Sequence, residues 1–203
     1  MSIEHSILAV ISFKPSSGYD IKAEFEHKGA GLYWGMSYGS IYPKLKKLEE
    51  HGLIVASEAN SAGRKKTLYE LTGEGWRELE KWLAEPPEYP VIKDELFMKI
   101  AAWHEEMDSD VLIAHLKARK AKSKELLDFV IKWPENNQSF VSGIGKLGIL
   151  YVKTKLEAEI KWIDDTIAAL EQKDIPEAQD PSSLGAGIKK RRRNALQGEK
   201  NYE

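Results

Sequence analysis

The sequence predicts a mainly α protein with one small β-hairpin, and three observations predict it. Apolar residues recur at spacings of three and four through most of the chain. Only two short runs, 53–59 and 67–71, are strand-like, and a polar stretch containing Gly63 separates them. Further on, the helical pattern is interrupted by turn residues, Pro86-Pro87, Pro90 and Pro134-Glu135-Asn136-Asn137, with no further strand signal between them.

Composition allows a real core. Of 203 residues, 42% are hydrophobic and 31% charged. Cysteine is absent, which excludes disulfides, thiolate metal sites and cysteine nucleophiles together. No apolar run approaches the length needed to cross a bilayer, and the N-terminal stretch lacks a basic region and a small-residue cleavage site. A cytoplasmic protein is expected, and no cofactor.

The first helix spans 3–13, with Ile3, Ile7, Leu8, Val10 and Ile11 at helical spacing. Lys14-Pro15-Ser16-Ser17-Gly18 ends it, and Ser17 caps a second helix over about 18–28, with Asp20 completing a capping-box pattern. Tyr19, Ile21 and Phe25 are expected inward, and Gly29-Ala30-Gly31 stops the helix. A third helix starts near Ser37 and ends at Gly52. Its buried stripe is Ile41, Leu45 and Leu48. At about 100° per residue, Gly39, Ser40, Pro43, Lys46 and Lys47 fall on the far side, flanked by Tyr38 and Tyr42. The two strands follow, joined by 60–66, whose tip is basic. Thr72 caps a fourth helix that turns Trp76, Leu79, Trp82 and Leu83 inward. The prolines beyond it divide the chain into 1–88 and 92–175.

The second part reads as helical. Leu96, Phe97, Ile100 and Trp103 make one amphipathic stretch, and 111–133 makes a longer one. Over 141–173, Leu156, Ile160, Ile163, Ile167 and Leu170 step by four, three, four and three, a heptad-like seam. Residues 176–203 lose the apolar pattern and read as a flexible tail carrying the basic run 189–193.

The net charge of −2 is uninformative, but its distribution is not. Within 37–66 there are six basic residues (Lys44, Lys46, Lys47, Arg64, Lys65 and Lys66) against three acidic ones, whereas the rest of 1–90 is acidic. Localised positive charge of this kind suits a phosphate-binding face. Three helices, a hairpin and a fourth helix are the element order of a winged helix-turn-helix. In that frame the third helix offers its exposed N-terminal half to the major groove. Ser37, Tyr38, Ser40 and Tyr42 supply hydroxyls, while Lys44, Lys46 and Lys47 supply charge. Arg64, Lys65 and Lys66 reach the flanking backbone of double-stranded DNA.

The string Ser17-Gly18-Tyr19-Asp20-Ile21 resembles the second-helix signature of PadR-type transcriptional regulators. So does Ser37-Tyr38-Gly39-Ser40-Ile41-Tyr42-Pro43-Lys44-Leu45-Lys46-Lys47-Leu48-Glu49 with Gly52-Leu53-Ile54, and the wing Gly63-Arg64-Lys65-Lys66 with Tyr69-Glu70-Leu71-Thr72 and Gly75. Lys93-Asp94-Glu95-Leu96-Phe97-Met98-Lys99 resembles the opening of the longer C-terminal helical domain found in part of that family, of virulence-activator alpha type. The resemblance covers about 1–173 and leaves the basic tail outside. It implies a homodimer on an inverted-repeat operator, with C-terminal helices exchanging contacts, and repression often relieved by a small aromatic effector. The seam residues are the expected dimer contacts, and Trp103 is the expected wall of an effector site.

Other motifs compete. Gly35-Met36-Ser37-Tyr38-Gly39 fits the nucleophile elbow of hydrolases, but it follows a helix and a glycine-rich loop where that motif needs a strand. Gly143-Ile144-Gly145-Lys146-Leu147-Gly148 fits a dinucleotide fingerprint, again without a preceding strand, and close helix packing through glycine is the expected role. His5, His27, His51, His104 and His115 form no metal-ligand spacing. Trp34, Trp103, Trp133 and Trp162 read as core or interface anchors as readily as ligand walls. The alternative to DNA reading is a protein-interaction module that keeps the fold without binding DNA.

Overall fold

The computed structural model describes residues 3–26, 41–61, 64–90, 92–104, 106–132 and 141–199. Helices α1 (Ile3–Phe13), α2 (Gly18–Glu26) and α3 (Ile41–Glu50) precede strands β1 (Ile54–Ser61) and β2 (Arg64–Leu71). Helices α4 (Gly73–Ala84), α5 (Glu95–Ala101), α6 (Ser109–Lys132), α7 (Gly143–Gln172) and α8 (Leu184–Glu199) follow. The chain divides into two compact units, Met1–Ile163 and Asp164–Glu203.

Local chemistry fixes the ends of the early helices. The Ser17 N–H donates to the Asp20 carboxylate at 3.0 Å, and the Asp20 N–H donates to Ser17 Oγ at 3.2 Å. This is a reciprocal capping box. α3 ends in a Schellman motif: Gly52 takes φ +68°, its N–H donates to Glu49 O, and Leu53 N–H donates to Leu48 O. Thr72 caps α4, its Oγ1 accepting from Gly75 N–H at 3.0 Å.

The core of the N-terminal half collects one stripe from every element. Ile7, Leu8 and Ile11 of α1, Ile21 and Phe25 of α2, and Ile41, Leu45 and Leu48 of α3 close on Ile54, Leu71 and Leu79. Each such side chain contributes about 1.5–3 kcal/mol when fully buried. The antiparallel hairpin pairs Ile54 with Leu71 through Ser61 with Arg64. Two hydrogen bonds between Ser16 and Tyr69, of 3.0 and 3.1 Å, tie β2 to the α1–α2 turn. A two-stranded ribbon is marginal alone; this one is held from both sides.

Several expectations fail on position. Tyr19 is exposed, because it sits about 160° from Ile21 on the α2 wheel. Trp76 and Leu83 are also exposed: α4 packs through Gly75, Leu79 and Trp82, leaving the other edge of its apolar arc uncovered. The strands extend further than their sequence signals, so Lys65 and Lys66 belong to β2 and not to the connection. Trp103 lies past the end of α5, which stops at Ala101.

Helices α6 and α7 share a small apolar cluster of Leu126, Val130 and Leu156, with Leu127, Phe129, Ile149 and Val152 packed against it. Above it, Arg119 donates to Glu159 at 2.9 Å and to Asp94, the N-cap of α5, at 3.0 Å. Buried Ser123 donates to the other oxygen of Glu159. Burial lowers the Arg119 pKa, but its two carboxylate partners outweigh that and raise it. One guanidinium therefore joins three elements.

In the second unit, α7 closes with Lys173 at φ 57°, and Asp174 N–H donates to Ala169 O. The expected flexible tail instead contains α8. Asp180 accepts from the N–H groups of Leu184 and Gly185 at 2.6 and 2.9 Å, so the first turn is capped. Beyond that cap the residues are mostly Ala, Lys, Arg, Leu and Gln, all good helix formers.

Candidate nucleic-acid interface

The exposed side of α3 carries Tyr42, Pro43, Lys46 and Lys47, while Ile41, Leu45 and Leu48 hold the helix down. Pro43 is the third described residue of this helix, and the carbonyl that its missing N–H would have met, at Gly39, lies outside the described residues. Ser37, Tyr38 and Ser40 lie outside the described residues, as does the side chain of Arg64. Of the sequence-predicted contacts, Tyr42, Lys44, Lys46, Lys47, Lys65 and Lys66 are therefore the ones with described side chains.

All five of these lysines meet a carboxylate, which the sequence reading missed. Lys44 pairs with Glu4 at 2.7 Å and Lys47 with the same oxygen at 3.6 Å. Lys46 pairs with Glu50 at 3.7 Å, Lys65 with Glu58 at 3.2 Å, and Lys66 with Asp20 at 2.8 Å. Exposure separates them. Lys46 and Lys65 are 78% and 79% exposed, and pairs of that kind are worth about 0–1 kcal/mol. A DNA phosphate can replace such a partner at little loss. Lys44 and Glu4 are only 32% and 22% exposed, and their bond joins α3 to α1. Lys66 joins β2 to α2 through the capping carboxylate. Burial raises the Asp20 pKa, but the bonds from Lys66 and Ser17 and the Lys66 charge override this and hold it at about 2.

Between α2, α3 and β2 lies a recess of about 370 Å³ lined by Ser17, Gly18, Tyr19, Tyr42, Lys66, Thr67 and Tyr69. Gly18 makes it possible: a Cβ there would fall 2.7 Å from Tyr42 Cε1. Burial raises the Tyr69 pKa, so the hydroxyl stays protonated and can donate. Tyr19 and Tyr69 were not among the expected contacts. Tyr19 could have been found from the helical wheel, whereas Tyr69 depends on the Ser16 bridge, which no local pattern reveals.

The remaining candidates lie elsewhere. Trp103 is half-buried and meets His115 edge-to-face at 6.4 Å. His115 lines a recess of about 220 Å³ together with Glu95, Leu96, Lys99 and Arg119. In the seam, Leu156, Ile163 and Ile167 are buried, with Leu156 packed against α6 of its own chain, while Ile160 and Leu170 are half-buried. The Gly143–Gly148 stretch forms the first turns of α7, and a Cβ at Gly143 or Gly148 would meet nothing within 4 Å. Among the described residues nothing packs closely against those two glycines. Among the described residues no helix is long and apolar enough to cross a membrane.

Comparison with known proteins agrees with this layout. Residues 7–81 match the transcriptional regulator PadR-like family, and residues 92–171 match the virulence activator alpha C-terminal family. The negative transcriptional regulator PadR of Bacillus subtilis is 28% identical over 179 residues, covering 84% of this chain and 98% of the relative. A crystal structure of Bacillus subtilis PadR in complex with operator DNA superposes with a TM-score of 0.69 at 26% identity, over 83% of this chain and 98% of that one. The crystal structure of the same protein in complex with p-coumaric acid gives a TM-score of 0.63 at 25% identity, over the same shares. With a capped second helix, a hairpin wing and a helical C-terminal half in the matching order, the chain carries a PadR-like transcriptional regulator domain over residues 7–81 followed by a virulence activator alpha C-terminal domain over residues 92–171.

Proposed function

We propose that the chain is a homodimeric repressor that binds an inverted-repeat operator and responds to a small aromatic effector. Residues 1–88 would read DNA and 92–175 would pair the subunits. The observation that carries the DNA reading is the division among the lysines: exposed Lys46 and Lys65 hold weak, exposed partners and exposed Lys47 reaches Glu4 only at 3.6 Å, on the helix and wing that the fold class turns toward DNA. Ser37, Tyr38, Ser40 and Arg64 remain proposed contacts on the same face. The relative's operator complex supports this reading.

Pairing is supported by uncovered apolar surface on α7. Ile144, Leu147 and Tyr151 of that helix are exposed, and Ile160 and Leu170 of the seam are only half-buried. A second copy would cover them. The relative's complex with p-coumaric acid supports an aromatic effector, with Trp103 as the proposed wall.

The test is binding of purified protein to the DNA upstream of its own gene, followed across salt. Lys47→Ala is expected to lower the slope of log affinity against log salt by about 0.9, one phosphate contact. An unchanged slope removes Lys47 from the phosphate contacts. No complex at low salt would favour an interaction module over a DNA reader. Sedimentation of the same sample is expected to give the dimer mass, and p-coumaric acid is expected to release the DNA.

A further inference from the structure

The basic run 189–193 lies beyond both family-matched segments. It occupies the middle of α8, and all five of its side chains are exposed. No acidic residue occurs between Leu184 and Gly198. This sets α8 apart from the wing and from α3, where carboxylates on the same elements meet Lys65 and Lys46.

The arrangement around the helix identifies the partner. At about 100° per residue, five consecutive cations go all the way round. Leu184, Ile188 and Leu196 define an apolar arc on one side of α8. Lys190 and Arg193 fall on the opposite side, and Lys189 falls beside Leu196 at one edge of the arc. Arg191 falls at the other edge, beside Leu184, and Arg192 falls inside the arc, between Ile188 and Leu196. A helix that lies on a lipid surface needs one continuous apolar face and one charged face. α8 has charge on every side, packed into about 6 Å of helix axis. A rod of that kind fits between two walls of negative charge, as in a groove of duplex DNA flanked by phosphates.

We propose that α8 is a second nucleic-acid-binding element that enters a DNA groove and contacts phosphates without reading sequence. The inference rests on the proposed DNA-binding function. It assigns to the C-terminal segment a share of affinity that carries no specificity.

The test uses the full chain with Lys190→Gln, Arg191→Gln and Arg193→Gln combined. Glutamine preserves helix propensity, and circular dichroism checks that the fold is kept. Affinity is measured across salt on the upstream duplex and on a scrambled duplex of equal length. Three lost phosphate contacts are expected to lower the slope by about 2.7 on both duplexes, weakening binding on the order of 10²-fold at 0.15 M salt. The variant Arg191→Lys with Arg193→Lys is expected to keep the wild-type slope. If the wild type binds the upstream duplex and the triple variant keeps its slope, α8 is not a DNA element and the regulator reading stands. If the wild type binds neither duplex at low salt, both readings fall. If only binding to phosphatidylserine vesicles is lost in the triple variant, the partner is a membrane and the proposal is overturned.

Discussion

Gly75 is where the geometry makes a demand opposite to helix propensity. It is the third residue of α4 and is buried. Replacing glycine by alanine in a helix normally stabilises by about 1 kcal/mol. Here the added Cβ would lie 1.9 Å from the carbonyl oxygen of Leu53 and 3.0 Å from its carbon. That carbonyl cannot easily retreat. It accepts from Thr72 N–H at 3.1 Å, and the Leu53 N–H is itself bonded to Leu48 O at 2.9 Å in the α3 cap. Relieving the clash means breaking one of those bonds, about 0.5–1.5 kcal/mol, on top of overpacking of about 1–3 kcal/mol. The net expectation for Gly75→Ala is a loss of about 2–3 kcal/mol, or roughly 10 °C in Tm for a domain of this size.

Gly73 supplies the control within the same helix. It is exposed, and the nearest atoms to its Cβ position are the tip of the Arg77 side chain at 3.8 Å. Gly73→Ala is therefore expected to leave stability unchanged or raise it by up to about 1 kcal/mol. Urea unfolding of the two variants beside the wild type, followed by circular dichroism, reads the difference. A Gly75→Ala protein as stable as wild type would mean that α4 does not approach the end of α3 as described, and the packing of the wing onto α4 would have to be redrawn.

Two further predictions concern the DNA face. Gly18→Ala is expected to change Tm little, because the exposed Tyr42 ring can swing away, yet to weaken operator binding by about threefold to tenfold through a lost tyrosine contact; a fall in Tm with unchanged affinity would contradict it. Asp20 has a folded pKa of about 2 against an ordinary 3.8, so its contribution is present above about pH 4 and is lost as pH falls toward 2. The shift corresponds to about 2.4 kcal/mol at most, and since Asp20 is 36% exposed, screening leaves about 1 kcal/mol. Asp20→Asn is expected to be less stable than wild type near about pH 6 and equally stable near about pH 2, and a gap that ignores pH would refute the assignment.

What was legible in the sequence was what is local. The capping box joins residues three apart, and the Gly52 stop reads the last turn of its own helix. The Ile41, Leu45 and Leu48 stripe needed only periodicity. What was not legible depends on which neighbour arrives. Trp76 and Leu79 lie on one apolar arc of α4, and only the placement of α1 and β2 decides that Leu79 is covered. The same holds for charge. Lys44 meets Glu4 from 40 residues away and Lys66 meets Asp20 from 46, so a count of basic residues overstated the cations free to bind phosphate. The α8 helix was missed for another reason: composition was weighed over the whole tail, while the Asp180 cap acts on one turn.

Asp20 shows how these local and distant terms are joined. One carboxylate oxygen accepts from Ser17 and caps α2, and the same group holds Lys66 of the wing. The Ser16–Tyr69 bridge fastens the wing to the residue beside that cap. The recess lined by Tyr19, Tyr42 and Tyr69 is thus framed on three sides by contacts that exist without DNA. Lys66 holds this frame and Lys44 holds α3 to α1, and because their partners are half-buried, removing either lysine would take the nearer cation from a half-buried carboxylate. Lys46 and Lys65 spend their charge on partners that water already weakens. Substitution at the first pair should therefore act on the position of α3 and the wing, and substitution at the second on phosphate affinity alone.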